Sequence, residues 1–394
     1  MRDVLLVATT LTGSGPTGVE THFNHLIAAA TSAGIDARLV SCQVASDWRR
    51  KAYRLIYHGL RRISPEHALV FLREADAWHL ERKLSRELRH LGDRRATIYA
   101  QDPRSARAAL RARRTGDVRV VMTAHFNGSE AQEMADRGLT SEGRPLWVNA
   151  MRVERDVMPR LDHVVFVSEF VRSCVLERLP ELDRRKTSVI ANSCVELPAA
   201  GKEMIENDLI AIGTLEPRKN QRYLLDVLAR CHARGHAYSL TLVGPGQDMA
   251  KLGAHANALG LDAFVRFLGH QPCASQLIPR HKALVHSALI ENSPITLVEA
   301  LAAGRPVFAG AVGGIPEVFD DGVEGHLWPL DQPDIAASLL IDTLEAPVRW
   351  EALSAAASVR YRRLFAPGVL IPRWLDILMR DAGAATTSPR QLEK

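Results

Sequence analysis

HSALIENSPITLVEALAAGRPVFAG, residues His286 to Gly310, is the stretch whose reading decides the fold. It opens at the end of one short apolar run and closes on another. Ser293 is a good helix N-cap, and Pro294 suits the first helical position. Gly304 is placed to end the helix, and Pro306 follows it. These signals predict a helix from Pro294 to about Ala303 with a strand on each side, as in a parallel sheet.

Inside that helix Ile295, Leu297, Val298, Ala300, Leu301, Ala302 and Ala303 are all apolar or small, so it should be largely buried. Thr296 and Glu299 are its polar residues, and their spacing puts them on one face. A carboxylate in a buried helix needs a partner. The helix start is an anion site, with free N–H groups and the positive end of the dipole. A diphosphate on the N–H groups of Ile295 and Thr296, with Glu299 on ribose hydroxyls and Glu291 on sugar hydroxyls, satisfies these demands. A neighbouring arginine for Glu299 and a solvated loop for Glu291 satisfy them as well. The residues alone leave both readings open.

Outward from this stretch, short apolar runs alternate with amphipathic segments. Strands are expected at Asp3 to Ala8, Ala37 to Ser41, Val118 to Thr123, His163 to Val167 and Thr187 to Ile190. More are expected at Leu209 to Ile212, Ser239 to Val243, Val265 to Leu268, Ala283 to His286 and Pro306 to Ala309, with a helix at Gly18 to Ser32. Strands separated by helices make βαβ units. A chain of 394 residues exceeds one hydrophobic core, which favours two domains. LPAAGKEMIEN, Leu197 to Asn207, lacks strand character and holds the linker. The tail after Asp381 has the composition of a disordered segment.

With the strands in place, a resemblance can be stated. Glu291 and Glu299 are separated by seven intervening residues, and ENSPITLVEALAAGRPV resembles the E-x7-E signature of retaining GT-B glycosyltransferases of family 4. GTLEPRKN, Gly213 to Asn220, resembles that family's phosphate loop. LTLVGPG, containing Gly244, and VRFLGH resemble its next strands and turns, and GGIPEVFDDGVEGHLWP the stretch after its second glutamate. The motifs keep the family's order from Leu209 to Pro329.

The resemblance implies an α/β fold of two doubly wound Rossmann-like domains facing an interdomain cleft. Residues 1–198 would form the acceptor domain, 199–207 the linker and 208–365 the nucleotide-sugar domain. Residues 366–381 would form a helix returning to the N-terminal domain, and 382–394 a disordered tail. Glu291 would bind the donor sugar and Glu299 the ribose, while Lys219, with Arg218 beside it, would stabilise the leaving diphosphate. Gly213 and Gly244 would line the donor. Fixed cations act most strongly on charge that is fully developed in the transition state. The alternative for Arg218 and Lys219 is an exposed helix start, which their sign disfavours. Many members carry an arginine directly after the loop glycine, where this chain has Thr214.

In the N-terminal half, Gly13-Ser14-Gly15-Pro16-Thr17-Gly18 fits the dinucleotide fingerprint. It stands four residues beyond its strand, and Asp36 precedes the second strand instead of closing it, so a dehydrogenase is disfavoured. TGVETHFNHL instead resembles the family's glycine loop and first helix, with Gly18 at the donor phosphate or the acceptor. VVMTAHFN places His125 where the family has a histidine reaching the donor sugar; a helix-capping loop histidine is the plainer reading. His22 and His25 read as structural. Ser168 resembles the family's domain-edge serine. The stretch from Arg50 to Arg95 matches no motif and should hold acceptor-facing helices.

The five cysteines are scattered and form no C-x-x-C pair, which favours a reducing compartment over a disulfide or zinc framework. No signal peptide or bilayer-spanning run is evident. Asp-x-Asp does not occur, so metal-independent transfer is expected, with no cofactor beyond the nucleotide-diphosphate sugar. Between Arg49 and Arg119, 19 basic side chains face 8 acidic ones, a net charge of +11 in a chain of net +5. Trp48, Tyr53, Tyr57 and Trp78 lie among them. This composition suits an anionic membrane surface, and equally a solvated face with internal ion pairs. No nucleic-acid motif accompanies the charge.

The expected function is transfer of a hexose, with GDP-mannose favoured over UDP-sugars, to a saccharide or lipid-linked saccharide with retention. The place is the cytoplasm or the cytoplasmic face of the membrane. The alternatives are a catalytically inactive nucleotide-sugar-binding protein, or a nucleotide-sugar epimerase on the same fold.

Overall fold

The computed structural model describes residues 3–11, 18–42, 48–113, 117–194, 197 and 204–380. The chain divides into two compact units. The first takes the residues up to Val167, Val171–Ile190 and those from Ile371 on; the second takes Ser168–Phe170 and Ala191–Leu370. The glycine loop 13–17, the proposed linker from 198 to 203 and the tail 382–394 lie outside the described residues.

The first unit is built on β1 (Val4–Thr9), β2 (Asp36–Ser41), β3 (Ala96–Ala100), β4 (Val118–Ala124), β5 (His163–Phe166) and β6 (Thr187–Val189). All pair in parallel, in the order β2-β1-β3-β4-β5-β6. β1 and β3 are buried along their whole length, as strands covered by helices on both faces must be. The order is that of flavodoxin-like sheets, and it reverses between β1 and β3.

The second unit holds β7 (Asn207–Ile212), β8 (Leu240–Val243), β9 (Val265–Gly269), β10 (His281–His286), β11 (Val307–Gly310) and β12 (Gly325–Trp328). They too are parallel, in the order β12-β11-β10-β7-β8-β9. Counted from its own first strand this is 3-2-1-4-5-6 reversed, the Rossmann order, with its switch point between β7 and β10. One face of the sheet packs Leu224, Leu228, Trp328 and Leu340; the other packs Leu297, Val298, Leu301, Phe319 and Tyr361.

Every strand expected from an apolar run is present, with its ends within two residues of the expectation. β7 begins at Asn207, the last residue assigned to the linker. β3 and β12 are strands the sequence reading missed. Neither stands out as an aliphatic run: β3 (ATIYA) directly follows the Arg94–Arg95 pair, and β12 (GHLW) opens on a glycine and a histidine. Arg50 to Arg95 is indeed helical for most of its length, in Trp48–Ile63 and Pro65–Leu91. Among the described residues no helix is long and apolar enough to cross a membrane.

Candidate active site

In a doubly wound sheet the loops leaving the two strands at the switch point diverge and open a crevice at their carboxyl ends. Here those loops are Gly213–Asn220 after β7 and Ser287–Pro294 after β10, the two segments singled out from sequence. They are tied together by backbone. Leu289 N donates to Arg218 O at 2.9 Å, and Ser287 Oγ lies 2.9 Å from the carbonyl oxygens of both Lys219 and Asn220. Pro217–Lys219 forms one 3-10 turn, and Asn220 takes the left-handed conformation (φ 52°, ψ 37°) before the helix Gln221–Ala233 starts. Arg218 and Lys219 therefore precede the helix. Their side chains are only 10% and 17% exposed, so they are not an exposed helix start.

Both cations turn to Glu291. Lys219 Nζ donates to Glu291 Oε1, and Arg218 NH1 lies 3.7 Å from the same oxygen. Arg218 NH2 also bonds Glu216 Oε1 at 2.8 Å. A third base, His286 Nε2, stands 3.6 Å from Glu291 Oε1. Burial pushes the Glu291 carboxyl up, but His286 and Lys219 outweigh it and hold the group at about 2. Burial lowers His286 despite its carboxylate neighbour. The sequence reading missed His286, although it opens the decisive stretch; a histidine closing a buried strand at a switch point was the available signal.

The backbone behind Glu291 is held by a glycine pair. Gly313 has φ 57°, and a Cβ there would fall 1.8 Å from Glu291 O. Gly314 N donates to that same carbonyl at 3.1 Å. A Cβ on Gly244 would fall 2.0 Å from Gly213 O, so the two loop glycines of β7 and β8 are in contact. Any side chain at Gly244 would push the Gly213–Asn220 loop away.

The helix after Glu291 runs Ile295–Ala302 and is followed by Gly304 at φ 63°. It starts one residue later than expected. Pro294 has ψ 119°, stands outside as the cap residue, and makes no side-chain cap hydrogen bond; Ser293 does not hold the cap position. No cap side chain takes the first N–H groups, which form the positive end of the helix dipole, and Ile295 and Thr296 carry two of them. Eight residues would not hold a helix in isolation. Burial of Leu297, Val298 and Leu301 stabilises this one by about 1.5–3 kcal/mol each.

Glu299 lies on that helix without an arginine. Among the described residues it forms no ion pair, and burial, opposed by a hydrogen bond from Ser275, pushes its carboxyl up to about 7. The plain reading of Glu299 as one half of an ion pair is thus set aside. Ser168, which clusters with this unit, donates its hydroxyl to Asn292 Oδ1.

In the first unit His125 follows β4. It does not cap the next helix: Ser129 does, accepting from Gln132 N at 2.9 Å. His125 Nε2 is buried without a hydrogen-bond partner, and burial lowers the imidazole to about 4. The His22 ring packs edge-on against it at 5.7 Å between centroids. His22 in turn bonds Tyr99 OH at 3.1 Å, and Tyr99 OH lies 2.6 Å from Thr123 Oγ1. Trp374, on the helix Pro367–Met379, covers both His22 and Tyr99. His22 is lowered further, to about 3, by burial and by His125. The first helix begins at Gly18. Among the described residues no group of three or more His, Cys, Asp or Glu is placed to hold a metal ion.

Comparison with known proteins follows the same division. Residues 16–194 match the family described as Glycosyltransferase Family 4, and residues 197–359 the family described as Glycosyl transferases group 1. The phosphatidyl-myo-inositol mannosyltransferase of Mycobacterium tuberculosis is 37% identical over 155 residues, which are 38% of this chain and 40% of that protein. The chain thus spans about two fifths of that relative's length. The GDP-mannose-dependent alpha-(1-6)-phosphatidylinositol monomannoside mannosyltransferase of the same organism is 29% identical over 266 residues, 56% of this chain and 68% of its own. Among solved structures, Anabaena HepE in complex with UDP-glucose superposes with a TM-score of 0.69 at 20% identity, covering 96% of this chain and all of that one. That likeness concerns the fold. With both halves matched in turn and both sheets doubly wound, the chain belongs to the GT-B glycosyltransferases, joining a family 4 N-terminal half to a group 1 C-terminal half.

Proposed function

We propose that this protein transfers a hexose from a nucleotide-diphosphate sugar, with GDP-mannose as donor, to a saccharide or lipid-linked saccharide, retaining anomeric configuration. The observation that carries the reading is the switch-point cluster. Two cations and a buried anion stand at the carboxyl ends of β7 and β10, and an unpaired Glu299 lies on the next helix. A diphosphate, a sugar and a ribose make complementary demands. Lys219 and Arg218, with the N–H groups of Ile295 and Thr296, take the diphosphate. Glu299 takes the ribose, Glu291 the sugar, and Gly213 and Gly244 line the donor. His125 is the first unit's candidate contact for the sugar, and Gly18 its candidate for the phosphate or acceptor. GDP-mannose is favoured by the relative named for its dependence on it.

A two-carboxylate retaining site needs a nucleophile about 5 Å from its partner, and Glu291 is already committed to donor binding. Front-face displacement fits instead: the leaving phosphate takes the acceptor proton while Lys219 and Arg218 stabilise its charge. Neither a metal nor a further cofactor enters this scheme.

The acceptor is proposed to be lipid-linked and the protein to sit peripherally at the cytoplasmic membrane face. Support comes from the helix Trp48–Ile63. Leu55 and Ile63 are 75% and 86% exposed, and Ile56, also exposed, lies seven residues before Ile63 on the same face. Arg54, Arg61 and Arg62 are exposed beside them. Such a helix suits the boundary of an anionic bilayer. Flotation with anionic vesicles should succeed at low salt and fail at high salt; equal binding to neutral vesicles would remove the membrane from the scheme.

A thermal-shift panel of nucleotide sugars tests the donor. The true donor at 100 times its dissociation constant adds about 2.7 kcal/mol of stability. Stabilisation by UDP-sugars alone would overturn GDP-mannose, and stabilisation by none would overturn the function.

A further inference from the structure

Three basic groups converge on a single oxygen. Lys219, Arg218 and His286 all face Glu291 Oε1, and Oε2 is left to other partners. The arrangement has a consequence for donor binding, resting on the donor reading above. The cations that would hold the diphosphate are already neutralised by the carboxylate that would hold the sugar. Glu291 and a diphosphate would compete for the N–H donors of Lys219, and two anions drawn to the same cation repel each other at this range.

We propose that Glu291 is the internal counter-ion of the diphosphate subsite, exchanged for the donor's diphosphate on binding, and that His286 is the positioning residue that keeps its carboxylate in place through the exchange.

His286 differs from the other two bases in three ways. It ends β10, so its backbone is set by the sheet and not by a loop. Its carbonyl accepts Trp328 Nε1 at 3.2 Å, which pins it from β12. Its Nδ1 is buried without a partner, so Glu291 is the polar group available to its ring. Lys219, on a 3-10 turn with a long flexible stem, can turn to a phosphate oxygen; His286 cannot follow it. When Lys219 leaves, a buried carboxylate would otherwise lose its nearest cation, at a cost no site tolerates unpaired. A shift of a few tenths of an ångström brings Nε2–H from 3.6 Å into hydrogen-bond range. Oε2 would then face the sugar hydroxyls.

The test uses GDP, UDP, inorganic pyrophosphate and the corresponding nucleotide sugars on the full chain, with melting temperature as the check on folding. Glu291→Gln keeps the shape and removes the charge. It is expected to tighten the nucleoside diphosphate that binds the wild type, and pyrophosphate with it, severalfold, while turnover with the nucleotide sugar collapses. His286→Phe should weaken the nucleoside diphosphate modestly, because Glu291 loses its remaining partner whenever Lys219 turns away, but should weaken the nucleotide sugar more and lower kcat about tenfold. His286→Gln, whose amide can donate, should recover part of the loss. In a Glu291→Gln background His286→Phe should do nothing further, since the pair acts as one unit.

Unchanged or weaker affinity for both pyrophosphate and the nucleoside diphosphate in a folded Glu291→Gln protein overturns the counter-ion assignment. Equal losses of nucleoside diphosphate and nucleotide sugar in His286→Phe overturn the positioning role. Pyrophosphate separates this inference from the donor reading. If Glu291→Gln tightens pyrophosphate while neither GDP nor UDP binds any form, the nucleotide-sugar reading fails and the counter-ion stands.

Discussion

At the carboxyl end of the second sheet, Glu291 is buried as an anion among Lys219, Arg218 and His286. At the carboxyl end of the first, His22 and His125 are buried as neutral rings against Tyr99 and Trp374. Both places bury titratable groups, and the outcome is opposite. In the second unit, opposite charges arrive from two loops at the switch point, so the carboxylate keeps its charge at about 2. In the first, the neighbours are aromatic rings and hydroxyls, which favour the uncharged form. A polar contact made by a neutral imidazole and charge stabilisation by fixed cations are different tasks, and burial serves each differently.

The contrast is broken most severely at the charged end. Glu291→Ala should abolish transfer while the melting temperature shows a folded protein, and product analysis by mass is the check. Turnover within a few-fold of wild type would remove Glu291 from the site. Lys219→Ala should raise the barrier by about 3 kcal/mol, the scale of one lost transition-state contact. An effect on acceptor affinity alone would show that Lys219 does not touch the diphosphate.

Glu299 is the charged unit's exception, a buried carboxylate without a cation. Its folded value of about 7 lies above the ordinary 4.5, so the folded state is at full advantage below pH 4.5 and loses it as pH rises through 7. Glu299→Gln should therefore stabilise the protein at pH 8 by about 2 kcal/mol while weakening nucleotide binding. Denaturant melts at pH 5 and pH 8 would show no such divergence if Glu299 had an ionic partner.

In the first unit the sign is reversed. His22 and His125 take protons on unfolding at a pH where the folded rings refuse them. Above pH 6.5 neither form is protonated and nothing changes. As pH falls from 6.5 toward 4 the unfolded state gains, and stability drops. His22→Phe, which keeps a ring, should flatten this slope by on the order of 1–2 kcal/mol at pH 5. An unchanged slope would show His22 to be more accessible to protons than its packing implies. The smallest effect is none at all: EDTA should leave activity unchanged. Loss on chelation, restored by manganese or magnesium, would require a metal on the diphosphate.

How much of this was legible in advance divides along a physical line. The parallel α/β class, most strands and the helix after Glu291 follow from local pattern: apolar runs of strand length, a proline and glycine at the helix ends, small residues between. Glu291, Glu299 and Lys219 could be picked out because a charge in an apolar stretch has to be explained wherever the chain goes. β3 and β12 could not, since ATIYA after two arginines and GHLW with its glycine and histidine do not read as aliphatic runs. Nor could the cap at Pro294, where one ψ angle moved the helix start by a residue. Above all, the chain order says nothing about which strands lie side by side. Arg218 and Lys219 stand about seventy residues from Glu291, and His22 about a hundred from His125. Their meetings depend on sheet order, β7 beside β10 and β1 beside β3 and then β4, which long-range pairing sets. Which carboxylate is ionised depends on those same meetings. The sequence determined which groups carry charge, and only the tertiary structure decided which of them keep it.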